Sequence, residues 1–233
     1  MPVQPAFTHP WDVSPTEAEG IQRRLRDRVL VQPLDHQPEI IAGIDVSVKE
    51  EQARAAVVLL SYPDLVPLHA VTAEMPVSFP YVPGLLAFRE GPVVLAAMER
   101  LTDRPDVLMF DAQGLAHPRR MGLATHLGIL LGVPAVGCAK SRLCGAYVEP
   151  DEQKGDWTPL IDGDEVIGAV VRTRDGVRPV FVSVGHRVDL ETAISLVLGC
   201  ANKYRLPEPT RWAHRVAGGQ PLPTVCQPTF FDL

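Results

Sequence analysis

The sequence predicts a single α/β domain whose mixed sheet begins as a three-strand antiparallel meander, continues in parallel strands and is flanked by helices. Three features carry this expectation. Residues 40–48, 54–61 and 65–76 are apolar, strand-like runs joined by short polar or proline-containing turns, the pattern of an antiparallel meander. Residues 106–140 then read strand, helix, strand at the spacing of a βαβ unit, whose strands lie parallel. Finally, no internal repeat or linker interrupts the 233 residues, and a hydrophobic share of 46% is ordinary for a full core.

Taken in order, Ser14-Pro15-Thr16-Glu17 is a helix start, with serine as N-cap, proline in the first position and glutamate closing a capping box. The helix should run to about Val31 with Ile21, Leu25 and Val29 on its apolar stripe and the RRLRDR segment as a solvated face. The strand at 40–48 holds Asp45 in its middle. That carboxylate is either on the solvated face of an alternating strand or paired, neutralised or cation-bound, because burying a bare charge is costly. The 80–84 loop, PYVPG, is stiffened by two prolines around Tyr81. Its tyrosine suits stacking on bases, and equally suits anchoring in the protein's own surface.

Leu86, Glu90, Val93 or Val94, Ala97 and Leu101 follow helical spacing, which places Glu90 on an apolar stripe. Pro92 fits a first turn better than a helix interior, so a start near Gly91 would leave Glu90 just outside. In the βαβ unit the first strand stops at Asp111 and the second at Lys140, with the helix entered through His117-Pro118 and striped by Met121, Ala124, Leu127 and Leu131. Strand carboxyl ends are where open α/β sheets place ligands, and the helix N-terminus there favours an anion. A charged loop, 149–157, leads to a hairpin of strands near 166–173 and 178–185 joined through Asp175-Gly176. Asp189 caps a helix burying Ala193, Leu196 and Val197, and a last helix from about Pro209 to Gly218-Gly219 carries His214. The proline-rich tail, 219–233, reads as extended from Pro221.

A net charge of −6 excludes a global positive field, though Arg119, Arg120, Lys140 and Arg142 gather near the predicted edge. Cysteines 138, 144, 200 and 226 show no CxxC spacing, which argues against zinc or a redox motif, and Cys138 reads as packing. No signal peptide is visible and no apolar run approaches the ~20 residues of a membrane helix, so a cytoplasmic setting is expected.

Meander, helix, then βαβ is the order of a ribonuclease H-like sheet. There the first strand neighbours the strand after the first core helix, which puts Asp45 beside Asp111 with Glu90 from the helix between them. Carboxylates without a soft ligand suit Mg²⁺ or Mn²⁺. The reaction class is metal-assisted phosphodiester hydrolysis, with Lys140 and His117 adding charge or hydrogen bonds around the phosphate.

The blocks GIDVS, PYVPGLLAFRE, FDAQGLAHPRRMGLATHLG, VPAVGCAK and VSVGHRVDLETA, in this order, closely resemble the endonuclease V family over about residues 14–218. The resemblance implies Mg²⁺-dependent nicking of DNA at the second phosphodiester bond 3′ to deoxyinosine, leaving a 3′-OH and a 5′-phosphate, with Mn²⁺ able to substitute. It carries metal-binding roles to Asp45, Glu90 and Asp111 and catalytic roles to Lys140 and His214. The substrate side falls to Pro80, Tyr81, Val82, Pro83 and Gly84 in a wedge loop, and to His117, Arg119, Arg120 and Gly122. The implied protein is a monomer acting on DNA, with no membrane. Inosine-containing RNA as the substrate, or a silent nucleic-acid-binding module, are the alternatives. Ala112 stands where many relatives have glycine, adding a Cβ beside the metal edge.

Overall fold

The computed structural model describes residues 4–222, so the expected extended tail lies, from residue 223 onward, outside the described residues. The elements in chain order are α1 (Pro15–Arg26), β1 (Ile40–Lys49), β2 (Gln52–Ser61), β3 (Pro67–Pro76), α2 (Leu86–Met98), β4 (Val107–Phe110), α3 (Leu123–Leu131), β5 (Ala135–Ala139), β6 (Trp157–Asp162), β7 (Glu165–Val171), β8 (Val180–His186), α4 (Leu190–Cys200) and α5 (Glu208–Ala217). The strands form one eight-stranded sheet in the order β3-β2-β1-β4-β5-β8-β7-β6. The meander is antiparallel, and β1, β4 and β5 run parallel. The remaining pairings are antiparallel. This is the ribonuclease H-like arrangement the element order predicts.

Alternation along the strands sorts the core into layers. Ala42 and Ile44 of β1 and Leu108 and Phe110 of β4 pack under α2 and α3. Ile41, Val107 and Met109 point the other way, to α4 and α5. Helix α1 lies outside α2 and α3, burying Ile21 and Leu25 against Phe88, Met121 and Ile129. Each such fully buried aliphatic side chain contributes roughly 1.5–3 kcal/mol.

Four boundaries differ from expectation. The capping box of α1 forms, with Ser14 N–H donating to Glu17 Oε2 at 2.8 Å, but the helix stops at Arg26. Beyond it Arg28 and Val29 N–H bond three residues back, which tightens the chain out of the helix and leaves Val29 only half-buried. Helix α2 starts at Leu86 and runs through Pro92, so Glu90 is inside it. Burial of Ala87, Phe88, Val93, Val94, Ala97 and Met98 along its length outweighs the hydrogen bond that proline removes. Helix α3 begins at Leu123 and not at Pro118, because Arg120 takes a left-handed φ of 54° that no α-helix tolerates. Strand β6 begins at the last residue of the stretch read as a charged loop and fills the gap before the expected hairpin; it is an edge strand, largely exposed and interrupted by Pro159, so its apolar alternation is faint.

Helix α5 approaches β1 closely. A Cβ added at Gly43 would lie 1.9 Å from the Pro209 carbonyl oxygen, so only glycine allows this contact. Two residues further, Asp45 points to the same side of the sheet and meets His214 of α5. Gly43→Ala should therefore lower stability by about 2–3 kcal/mol. A thermal melt checks this; a variant melting with the parent would mean that α5 is not seated on Gly43.

Candidate active site

In β1 the residue before Asp45, Ile44, is the last to pair with β4, opposite Phe110. Asp111 follows Phe110, and its N–H donates to Ile44 O at 3.2 Å. A residue in the middle of a long strand thus stands at the end of the parallel ladder, beside the first residue past β4. Both side chains point to the α5 side of the sheet and are nearly buried, 14% and 7% exposed, so Asp45 is not on a solvated face. Glu90 approaches from α2. Its pKa is pushed up to about 8, first by burial and then by the charge of Asp45, with Asp111 adding to the effect. Burial also pushes Asp45 up, while the hydrogen bond with His214 pulls it down and Asp111 raises it.

Two bases answer these charges. Lys140, the residue after β5, places Nζ on Asp111 Oδ2. His214 Nδ1 lies 2.7 Å from Asp45 Oδ2. Both are substantially exposed, 43% and 66%.

The edge forms one wall of a cleft of about 470 Å³ whose other wall is the 80–84 loop. Tyr81 is 72% exposed, so it is not anchored in the protein's own surface. The loop behind it is fixed. Arg89 Nη1 donates to Phe79 O at 2.8 Å, and Gly84 O accepts from Gln22 Nε2 at 3.0 Å, His117 Nε2 at 2.9 Å and Arg119 Nη2 at 2.8 Å. His117 Nδ1 in turn accepts from Arg119 N–H at 3.1 Å, which assigns the ring proton to Nε2. The imidazole is neutral, its pKa lowered to about 4 by burial, with the charges of Arg119 and Arg120 adding. It is a neutral post under the loop, so of the charge or hydrogen bonds expected of it only hydrogen bonds are available.

The other expected basic contacts also turn inward. Arg119 Nε donates to Gln22 Oε1 at 2.5 Å, and Nη1 pairs with Glu19. Arg120 is held by Glu165 at 2.8 Å and Asp162 at 3.0 Å. Gly122 caps α3, and two N–H groups at the helix entry are already taken: Gly122 and Ala124 N–H donate to Gly114 O and Gln113 O at 3.0 and 3.1 Å. Pro80, Val82 and Pro83 stay with the loop. Gln22 was not expected here. Its only sequence signal is its place beside Ile21 on the buried side of α1.

The donor set fits a hard divalent cation. Three carboxylates, from β1, from α2 and from the residue after β4, share one electrostatic neighbourhood, and Cys138, the thiol closest in sequence to Lys140, is fully buried with its pKa raised above the ordinary thiol range by burial. Among the described residues no three such groups are gathered round one point, and the Asp45 and Asp111 oxygens are taken by His214 and Lys140. Asp45, Glu90 and Asp111 would hold the ion once those pairs open.

A family model described as Endonuclease V matches residues 23–215. Endonuclease V of Methanothrix thermoacetophila is 55% identical over 206 residues, 88% of this chain and 92% of that protein. The crystal structure of Streptomyces avermitilis Endonuclease V superimposes with a TM-score of 0.86 at 42% identity, covering 94% of this chain and 96% of that one. Ciona intestinalis Endonuclease V, crystallised with a 24-mer DNA containing an inosine followed by a ribo-adenosine, gives a TM-score of 0.75 at 31% identity over 87% of this chain and 95% of that one.

The raised Glu90 pKa has a consequence for stability. A carboxyl whose folded pKa lies above its unfolded value contributes stability below pH 4.5 that is lost as pH rises through about 8. Glu90→Gln should therefore stabilise the metal-free protein at pH 8, by on the order of 4 kcal/mol, with the gain vanishing below about pH 4.5. Denaturant melts in EDTA across that range check it. A gain independent of pH would dissociate Glu90 from the cluster.

Proposed function

Since the chain belongs to the endonuclease V family and is a metal-dependent nuclease, we propose that it nicks DNA at deoxyinosine, hydrolysing the second phosphodiester bond 3′ to the lesion and leaving a 3′-OH and a 5′-phosphate. The observation that supports this reading is the facing of two features across one cleft: the carboxylates of Asp45 and Asp111 on one wall, with Glu90 electrostatically coupled to both, and an exposed tyrosine on the other. Mg²⁺, with Mn²⁺ able to replace it, would activate water and offset charge on the phosphoryl group. Lys140 pairs with Asp111 and His214 hydrogen-bonds Asp45 until substrate arrives, and the Lys140 ammonium then faces the charge that develops on the phosphate. The cleft has the volume of a small-ligand pocket and suits a base taken out of the stack. Hypoxanthine pairs less well than adenine with thymine, so its removal costs less. Tyr81 would fill the gap, where a stacked aromatic is worth roughly 1–3 kcal/mol. His117, Arg119 and Arg120 support the loops that meet DNA. A second reading, inosine in RNA, is favoured by one observation: the Ciona relative was crystallised on a strand with a ribo-adenosine after the inosine.

The test is cleavage of paired DNA and RNA oligonucleotides, with and without inosine, in Mg²⁺ and in EDTA. Cutting should require both inosine and the ion, and Asp45→Asn or Asp111→Asn should abolish it while binding persists. Wild-type cutting by either variant would remove the assigned site.

Tyr81→Ala should weaken binding to inosine in duplex DNA by roughly 10-fold or more and to inosine in single strands much less, with an unchanged melting temperature. Equal losses on both substrates together with a lower melting point would make Tyr81 a packing residue.

A further inference from the structure

Lys140 reaches Asp111 on a long, flexible side chain, so its aim depends on how firmly its own backbone is held. The sheet does not hold it. The last ladder pair of β5 is Ala139 with Phe181 of β8, and the pairing with β4 ends earlier, at Gly137. The carbonyls of Lys140 and Ser141 therefore lie beyond the strand hydrogen bonds and are open to other donors.

Two side chains supply them. Arg205 Nη2 donates to Lys140 O at 2.7 Å and also to Pro179 O at 2.7 Å, just before β8. Gln113 Nε2 donates to Ser141 O at 2.8 Å. Arg205 is itself fixed, since its carbonyl accepts from Thr173 Oγ1 at 2.6 Å. It also stands two residues before Pro207, the N-cap of α5, the helix that brings His214 to Asp45. One guanidinium thus joins the end of β5, the start of β8 and the entry to α5. Both bonds come from the one nitrogen Nη2, whose two N–H groups lie at a fixed angle in the guanidinium plane, so the two carbonyls are held at a set distance from each other.

We infer that Arg205 is a positioning residue for the cleavage reaction, acting through Lys140 by clamping its carbonyl so that the ammonium stays aimed at Asp111, with Gln113 as the second point of the clamp. This rests on the role of Lys140 in the reading above.

A double-mutant cycle under single-turnover conditions, on the inosine oligonucleotide in Mg²⁺, tests it. Arg205→Ala should lower the cleavage rate about 10- to 100-fold while leaving substrate affinity within about 3-fold. In a Lys140→Ala background, Arg205→Ala should cost less than about 3-fold more, because the clamp then has nothing to aim. A merely structural arginine would slow both backgrounds alike, so a further loss of roughly 10-fold on Lys140→Ala overturns the proposal. If melting curves show that Arg205→Ala does not fold, Arg205→Lys carries the same cycle with a smaller expected loss. Failure of the underlying reading is separable, since it would appear as parent-rate cutting by Lys140→Ala alone, and the proposal would fall with it.

Discussion

Asp45, Glu90 and Asp111 occupy one electrostatic neighbourhood at the rim of the sheet, and each ionised carboxylate makes the next harder to ionise. Little water reaches the two aspartates, so the repulsion cannot be screened from outside. The fold answers with bases that are not part of its core. Lys140 and His214 sit with much of their side chains in solvent and only their nitrogens on the carboxylates. Groups arranged in this way can leave one anion for another without disturbing packed side chains. The buried acids are the fixed members of the site and the exposed bases its adjustable ones.

The opposite wall follows the same division. Gly84 O accepts three donors, from α1, from His117 and from Arg119, so the base of the 80–84 loop is over-determined. Its tip, Tyr81, projects free into solvent. From sequence, His117 reads as a source of charge or hydrogen bonds around the phosphate, and Arg119 as a basic residue near the edge, placed on the substrate side by the family resemblance. Their hydrogen bonds run the other way, into the protein, and burial has removed the charge of His117 at neutral pH. An ionisable residue in a motif can thus serve the substrate indirectly, by stiffening what touches it.

The meander, the parallel βαβ unit and the placing of Asp45 beside Asp111 were legible because they follow from short connections and parallel crossovers, which periodicity records. The convergence of Glu90 was legible as an anomaly, an acid on an apolar stripe. What periodicity could not show were contacts made by backbone. The helix expected from Pro118 is displaced to Leu123 by a left-handed Arg120, which nothing in the composition announces. Arg205 gave no signal either, since a lone arginine in a loop looks like any solvated charge until the carbonyls it reaches are known.

The segment from Asp111 to α3 makes the same point about rigidity. Gly114 N–H donates to Ser183 Oγ at 2.8 Å, Leu115 N–H to Val184 O at 2.7 Å, and the Gly114 carbonyl accepts from Gly122. The backbones are so close that a Cβ on Gly114 would lie 2.1 Å from Val184 O. Ala112, next to Asp111, is 7% exposed and packs into the core under α2 and α3. A segment bonded backbone to backbone along its length has no soft coordinate on which to open. The adjustment that DNA requires must then come from Lys140, His214 and the Tyr81 tip. The rim that carries Asp111 remains the fixed reference against which they move.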